Sequence, residues 1–203
     1  MGKAVLISIQ PKWCGLIAAG KKVLEIRKTR PRLDTPFKVY IYCTKGSGKN
    51  TFNVPVSYEQ LVRHYEETGS MECLNSPIGN GKVIGEFICD ECALLSKPHY
   101  WYVEKYACVT IEALHTYMGL EAGRELSYDD GCWGWHISGL KTYEKPKTLS
   151  EFHFPPETFC EKELCGGCPR YEMPSEYGDV MFDCEWKRPV MRAPQSWCYV
   201  EEV

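Results

Sequence analysis

The sequence predicts an α+β domain or a partly open barrel, with short helices and a cysteine-rich C-terminal extension. Three observations predict it. Short apolar runs with two-residue alternation recur along the chain, as half-buried strands require. Between them lie brief segments with helical spacing and recognisable start and stop residues. Finally, 203 residues with 44% hydrophobic and 25% charged content suffice for one sizeable core.

In chain order, AVLISI (4–9) reads as a strand. Pro11 suits the first turn of a helix that carries Trp13, Leu16 and Ile17 and stops at Gly20. VLEIRK (23–28) reads as a strand with Leu24 and Ile26 on one face and Glu25 and Arg27 on the other. FKVYIYCT (37–44) is a third strand. SYEQLVRHYEETG opens on a capping box, Ser57 to Gln60, and closes on Gly69, which makes it a helix. KVIGEFICDECALLS reads as one long strand in which Gly85 marks a bulge. TIEALHTYMG is a short helix from Thr110 to Gly119. WGWHISGLKTYEKP is a strand ending at Pro146, and PQSWCYVEE is the last one. This divides the chain into a domain over 1–154, completed by a strand near 190–203, and an extension over 155–189.

Charge is distributed unevenly. Residues 1–50 hold eleven Lys and Arg against Glu25 and Asp34, a surplus of nine positive charges. The other 153 residues hold 13 basic and 25 acidic side chains, so the overall charge of -3 hides a basic first quarter. Such a block is a footprint for phosphate-rich partners, or equally a solvated surface balanced by acidic neighbours. KGSGKNT (45–51) resembles a phosphate-binding loop but fails it: Cys43 stands where the first Gly belongs, and Asn50 follows Lys49 in place of Ser or Thr. No apolar run has the length of a membrane span, and AVLISI is too short for a signal-peptide core. A cytoplasmic protein with no membrane partner is therefore expected.

Twelve cysteines in such a compartment are expected as thiols or metal ligands rather than disulfides. Seven are scattered in mostly apolar contexts. Cys160, Cys165 and Cys168 form a C-x4-C-x2-C run, with Gly166 and Gly167 easing the turn, and Cys184 follows. Four thiolates at this spacing fit one structural zinc; Cys198 is an alternative ligand, and plain reduced thiols are the competing reading.

The stretch SIQPKWCGLIAAGKKVLEIRKTRP resembles the ASCH family of the PUA-like superfamily. The resemblance rests on Ser8, Ile9, Pro11 and Trp13, then on Gly-x-Lys-x-x-Glu-x-Arg at Gly20, Lys22, Glu25 and Arg27. VYIYCT, KVIGEFICD and WGWHISGLKTYEKPKTLSEF extend it over roughly 4–154 and the last strand. It implies a small mixed barrel with a cleft lined by the first helix and the strand after it. It further implies binding of RNA or a modified nucleotide there. Some relatives are implied to hydrolyse acetylcytidine and others to cleave RNA. The amidohydrolase pattern has Lys-x-x-Thr, but Glu25 stands here in place of the Thr.

The candidate nucleic-acid-binding residues are Lys12, Trp13, Lys22, Glu25, Arg27, Arg30, Trp135 and His136. In a cleft, Glu25 would read a donor such as an exocyclic amine, and Lys22 and Arg27 would hold a phosphate or carbonyl oxygen. Trp13, Trp135 and His136 would form a stacking wall. On residue type alone, Glu25 and Arg27 are equally a surface ion pair, the tryptophans core residues and His136 a structural histidine. Should the chain be a hydrolase, Lys22 and Glu25 are its acid-base pair. A protein-interaction module is the third alternative.

Overall fold

The computed structural model describes residues 2–46, 51–68, 78–155 and 189–203. Its elements run β1 (Lys3–Ile9), α1 (Pro11–Ala18), β2 (Leu24–Arg27), β3 (Phe37–Cys43), α2 (Tyr58–Thr68), β4 (Lys82–Cys89) and β5 (Cys92–Leu94). A helical run follows: a 3-10 turn at Lys97–His99, the single turn α3 (Tyr100–Tyr102) and a π turn at Val103–Ala107. Then come α4 (Ile111–Met118), β6 (Trp133–His136), β7 (Ser138–Lys147) and β8 (Trp197–Glu201).

The strands form two sheets, and the described residues close no barrel. A five-stranded sheet has the order β7-β4-β3-β1-β8, with β1 and β3 parallel and the other pairs antiparallel. A three-stranded antiparallel sheet has the order β2-β6-β5. The two expected long strands are each divided. The 82–96 run breaks at Asp90–Glu91, and the 133–146 run breaks at Ile137; in both places the chain passes from one sheet to the other. Apolar residues resume within three positions of each break, at Cys92 and at Leu140, so the runs read as continuous and local pattern does not reveal the change of partner. Gly85 does sit at a register irregularity between β4 and β7. A Cβ there would lie 2.4 Å from the Lys141 carbonyl oxygen, so only glycine permits this approach.

Three apolar layers result. Val5, Ile7, Val39, Ile41 and Phe87 of the large sheet meet Trp135 of the small sheet and Cys14 and Ile17 of α1. Leu6, Tyr40, Phe152, Val190 and Val200 cover the far face of the large sheet. Leu24 and Ile26 point outward from the small sheet onto Val103, Ala107 and Leu114. Both helices expected from capping residues form. Ser57 and Gln60 exchange backbone-to-side-chain bonds at the start of α2. Thr110 Oγ1 accepts from the Ala113 amide at the start of α4. No helix among the described residues is long and apolar enough to cross a membrane.

Candidate nucleotide-binding site

Strand alternation puts Leu24 and Ile26 in the outer layer, so Glu25 and Arg27 face the space between the sheets. Gly20, at φ +68°, ends α1 in a left-handed turn that swings Lys22 back over the same space. Lys22 is only 2% exposed. Its Nζ donates to Leu24 O at 2.8 Å and Ala107 O at 2.9 Å, and pairs with Glu25 Oε2 at 3.3 Å. These contacts occupy all three ammonium protons. Ala107 ends the π turn, so the lysine satisfies a carbonyl that the helical run leaves without a partner. The other oxygen of Glu25, Oε1, lies 2.9 Å from Arg27 Nη2, which also donates to Ser8 O at 2.7 Å.

Glu25 thus pairs with two cations, Lys22 just before its strand and Arg27 on it. That is a different position from the expected reader of an exocyclic amine, because both carboxylate oxygens already have partners. Beside it, the Cys14 thiol is pushed well above the ordinary range by its hydrogen bond to Cys43 and by burial, with the charge of Glu25 adding to the effect. The site wall is therefore neutral there.

The aromatic residues divide. Trp13 is half-buried and carries two ammonium groups over its ring, Lys12 at 4.6 Å and Lys22 at 5.2 Å. Trp135 is fully buried against Phe37 and Trp197, so its ring faces offer nothing to an incoming base. His136 pairs with Leu24 and leaves the opposite face of the small sheet. There its Nδ1 meets Asp90 at 2.6 Å, a contact that holds the Asp90 carboxyl below its ordinary value. The expected stacking wall is not assembled from these three residues.

Another aromatic surface takes its place. Arg30 lies 5.2 Å over the Trp133 ring, and Lys28 lies 5.4 Å from the ring of Tyr117, an exposed α4 residue. Trp197 Nε1 donates to Thr29 Oγ1 at 3.0 Å, and the Arg32 amide donates to the Tyr199 hydroxyl at 2.7 Å. Residues 28–32 therefore run across a carpet of four aromatic side chains. Sequence reasoning missed Trp133, Tyr117, Trp197 and Tyr199. Trp133 alone had a local signal, two residues before Trp135 and so on the same strand face. The proposed zinc ligands Cys160, Cys165, Cys168 and Cys184 lie outside the described residues. Within those residues, no group of three or more His, Cys, Asp or Glu is placed to hold a metal.

No family model matches the chain, and no curated protein matches it. Solved structures do. A crystal structure of ASCH from Zymomonas mobilis superposes with a TM-score of 0.51 at 15% identity, covering 98% of this chain and 88% of that one. A tyrosine-to-phenylalanine variant of the same protein gives 0.51 at 14%, covering 98% and 91%. A serine-to-alanine variant gives 0.50 at 14%, covering 98% and 89%. At this identity the likeness speaks for the fold alone: the chain has an α+β fold similar to that of the ASCH crystal structures.

Proposed function

We propose that the chain binds RNA or a modified nucleotide on the face formed by α1, β2 and residues 28–32. The observation that carries this reading is the alternation of cations and rings: Lys12 on Trp13, Arg30 on Trp133 and Lys28 on Tyr117. Cations bind phosphates and rings stack on bases, which together suit single-stranded nucleic acid. Binding is favoured over hydrolysis by the state of Lys22. With its three donors engaged, it is poorly placed to exchange a proton with a substrate.

The test is fluorescence anisotropy of a labelled single-stranded RNA at several salt concentrations. Affinity should fall steeply with salt. Replacing Lys28, Arg30 and Arg32 together with Ala should weaken binding and flatten that dependence. Unchanged affinity and slope would place the contact elsewhere. Release of acetate from acetylcytidine, or cleavage of RNA, by the wild type but not by Lys22→Ala would replace the binding reading with a hydrolase. Separately, the spacing of Cys160, Cys165, Cys168 and Cys184 supports one structural zinc. Metal analysis under reducing, chelator-free conditions should find about one equivalent, and less than about half would mean plain thiols.

A further inference from the structure

Cys89-Asp90-Glu91-Cys92 spans the break at which the chain leaves the large sheet for the small one. Cys89 is the last residue of β4, paired with Phe37, and Cys92 is the first of β5, paired with Trp135. Both side chains pack into the apolar layer between the sheets. The Cys89 thiol donates to Glu91 O at 3.3 Å, the carbonyl bonded to the Cys92 nitrogen, and it hydrogen-bonds the Cys92 sulfur as well. The pair is asymmetric. Cys89 is fully buried, whereas Cys92 is half-buried and within reach of small reagents. Cys14 and Cys43 also share a hydrogen bond, but both are fully enclosed.

Cys92 and Leu94 stand opposite Trp135 and Trp133 on one face of the small sheet. The Arg30 guanidinium over Trp133 is therefore on the diagonal from Cys92. A cation nearby and a second thiol donating to it both favour a thiolate at Cys92. A cysteine that serves only as a small apolar side chain needs neither. We propose that Cys89 and Cys92 form a reversible disulfide with a hydroperoxide as oxidant, Cys92 attacking and Cys89 resolving. The Cys92 thiolate attacks one oxygen of the hydroperoxide. The O–O bond breaks, the alkoxide leaves as an alcohol with the proton that Cys92 gave up, and Cys92 becomes a sulfenic acid. The Cys89 sulfur then attacks the Cys92 sulfur. The S–O bond breaks, and hydroxide leaves as water with the Cys89 proton. The two thiols lose two electrons and the hydroperoxide gains them. Asp90 and Glu91 belong to neither strand, so drawing the sulfurs together need not break a strand pairing. The chemistry does not depend on what the aromatic face binds.

The experiment exposes the whole reduced protein to a small excess of hydrogen peroxide near neutral pH. Remaining thiols are then alkylated under denaturing conditions and the tryptic peptides are read by mass spectrometry. Cys89 and Cys92 are the only cysteines between Lys82 and Lys105, so one peptide reports the pair. It should become unalkylated and lighter by two hydrogens. This form should appear at least about tenfold faster than modification of Cys14, Cys43, Cys132 or Cys198, and dithiothreitol should restore both thiols. Cys89→Ser should stop at the sulfenic acid, captured at Cys92 by dimedone. Cys92→Ser should leave Cys89 open to alkylation. The wild-type peptide carries the test even where a variant fails to fold. Both thiols still alkylated after the other four cysteines have reacted, oxidation that dithiothreitol does not reverse, or Cys92 bonded to any other cysteine would each overturn the pair. Oxidation of Cys89 at the wild-type rate in Cys92→Ser would overturn the assigned roles.

Discussion

Two halves of one basic stretch meet opposite fates. Lys22, Glu25 and Arg27 turn into the layer between the sheets, where each charge is held by named partners. Lys28 and Arg32, a few residues on, stay in solvent, and Arg30 between them is half-buried on the Trp133 ring. Similar side chains therefore do different physical work. The inner charges hold structure, because an unpaired ion in a poorly solvated layer is costly. Of the outer charges, Lys28 and Arg32 lie in solvent and Arg30 donates to the Pro31 and Leu33 carbonyls; they add little to stability and offer their positive charge to a polyanion. The basic surplus of the first quarter is not one contiguous face: it divides at the end of β2.

The largest effect should come from breaking the inner half. Glu25→Ala strands two cations and should destabilise the protein by about 3–5 kcal/mol in urea unfolding. A loss below about 1 kcal/mol would mean that solvent reaches the cluster. The outer half should respond in the opposite sense. Lys28, Arg30 and Arg32 replaced together should change stability little. In log–log plots of RNA affinity against salt, the slope should fall by roughly 2, at about 0.7 per phosphate contact on a single strand. A triple variant that unfolds easily while retaining its salt slope would reverse the roles of the two halves.

A smaller effect tests how far the outer charge reaches. The Cys92 thiol is lowered by its hydrogen bond to Cys89 and, against burial, by the charge of Arg30. Burial pushes Cys132 up to about 12 and Cys198 up to about 11. Iodoacetamide at pH 8, read by peptide mass spectrometry, should label Cys92 before either, and Arg30→Ala should slow it. Equal rates at the three cysteines would contradict this.

The smallest effect concerns the far face of the small sheet. Asp90 is held below its ordinary value by His136, so folding is favoured by its ionised form. That contribution is complete above the unfolded carboxylate range and is lost as pH falls through the folded value. Asp90→Asn should therefore lower stability slightly in melts at pH 7, and the difference from wild type should vanish as pH falls below the carboxylate range. RNA affinity should be unchanged in this variant, since His136 and Asp90 lie on the opposite face from Arg27.

Much of this was legible in the residues. Pro11 and Gly20 bracket α1, Thr110 and Gly119 bracket α4, and the Ser57–Gln60 box opens α2. Alternation in VLEIRK correctly separates Leu24 and Ile26 from Glu25 and Arg27. These are local facts: capping groups and side-chain period act within a few residues, so the sequence carries them directly. The helical run at 97–107 was not legible, because its turns are short and of three kinds, without one sustained period.

By itself, then, the sequence determined the α+β class, the strand faces and the caps, since these depend on near neighbours along the chain. Tertiary structure decided where each run changes sheet, which charges are buried and which rings lie under which cations. Lys22 reaches the carbonyl of Ala107, 85 residues away, and Trp197 reaches Thr29 across 168. Such pairings depend on how the sheets and helical segments pack together. For that reason VLEIRKTR reads as one basic strand in sequence, yet in the folded protein it is half ion-paired interior and half open aromatic surface.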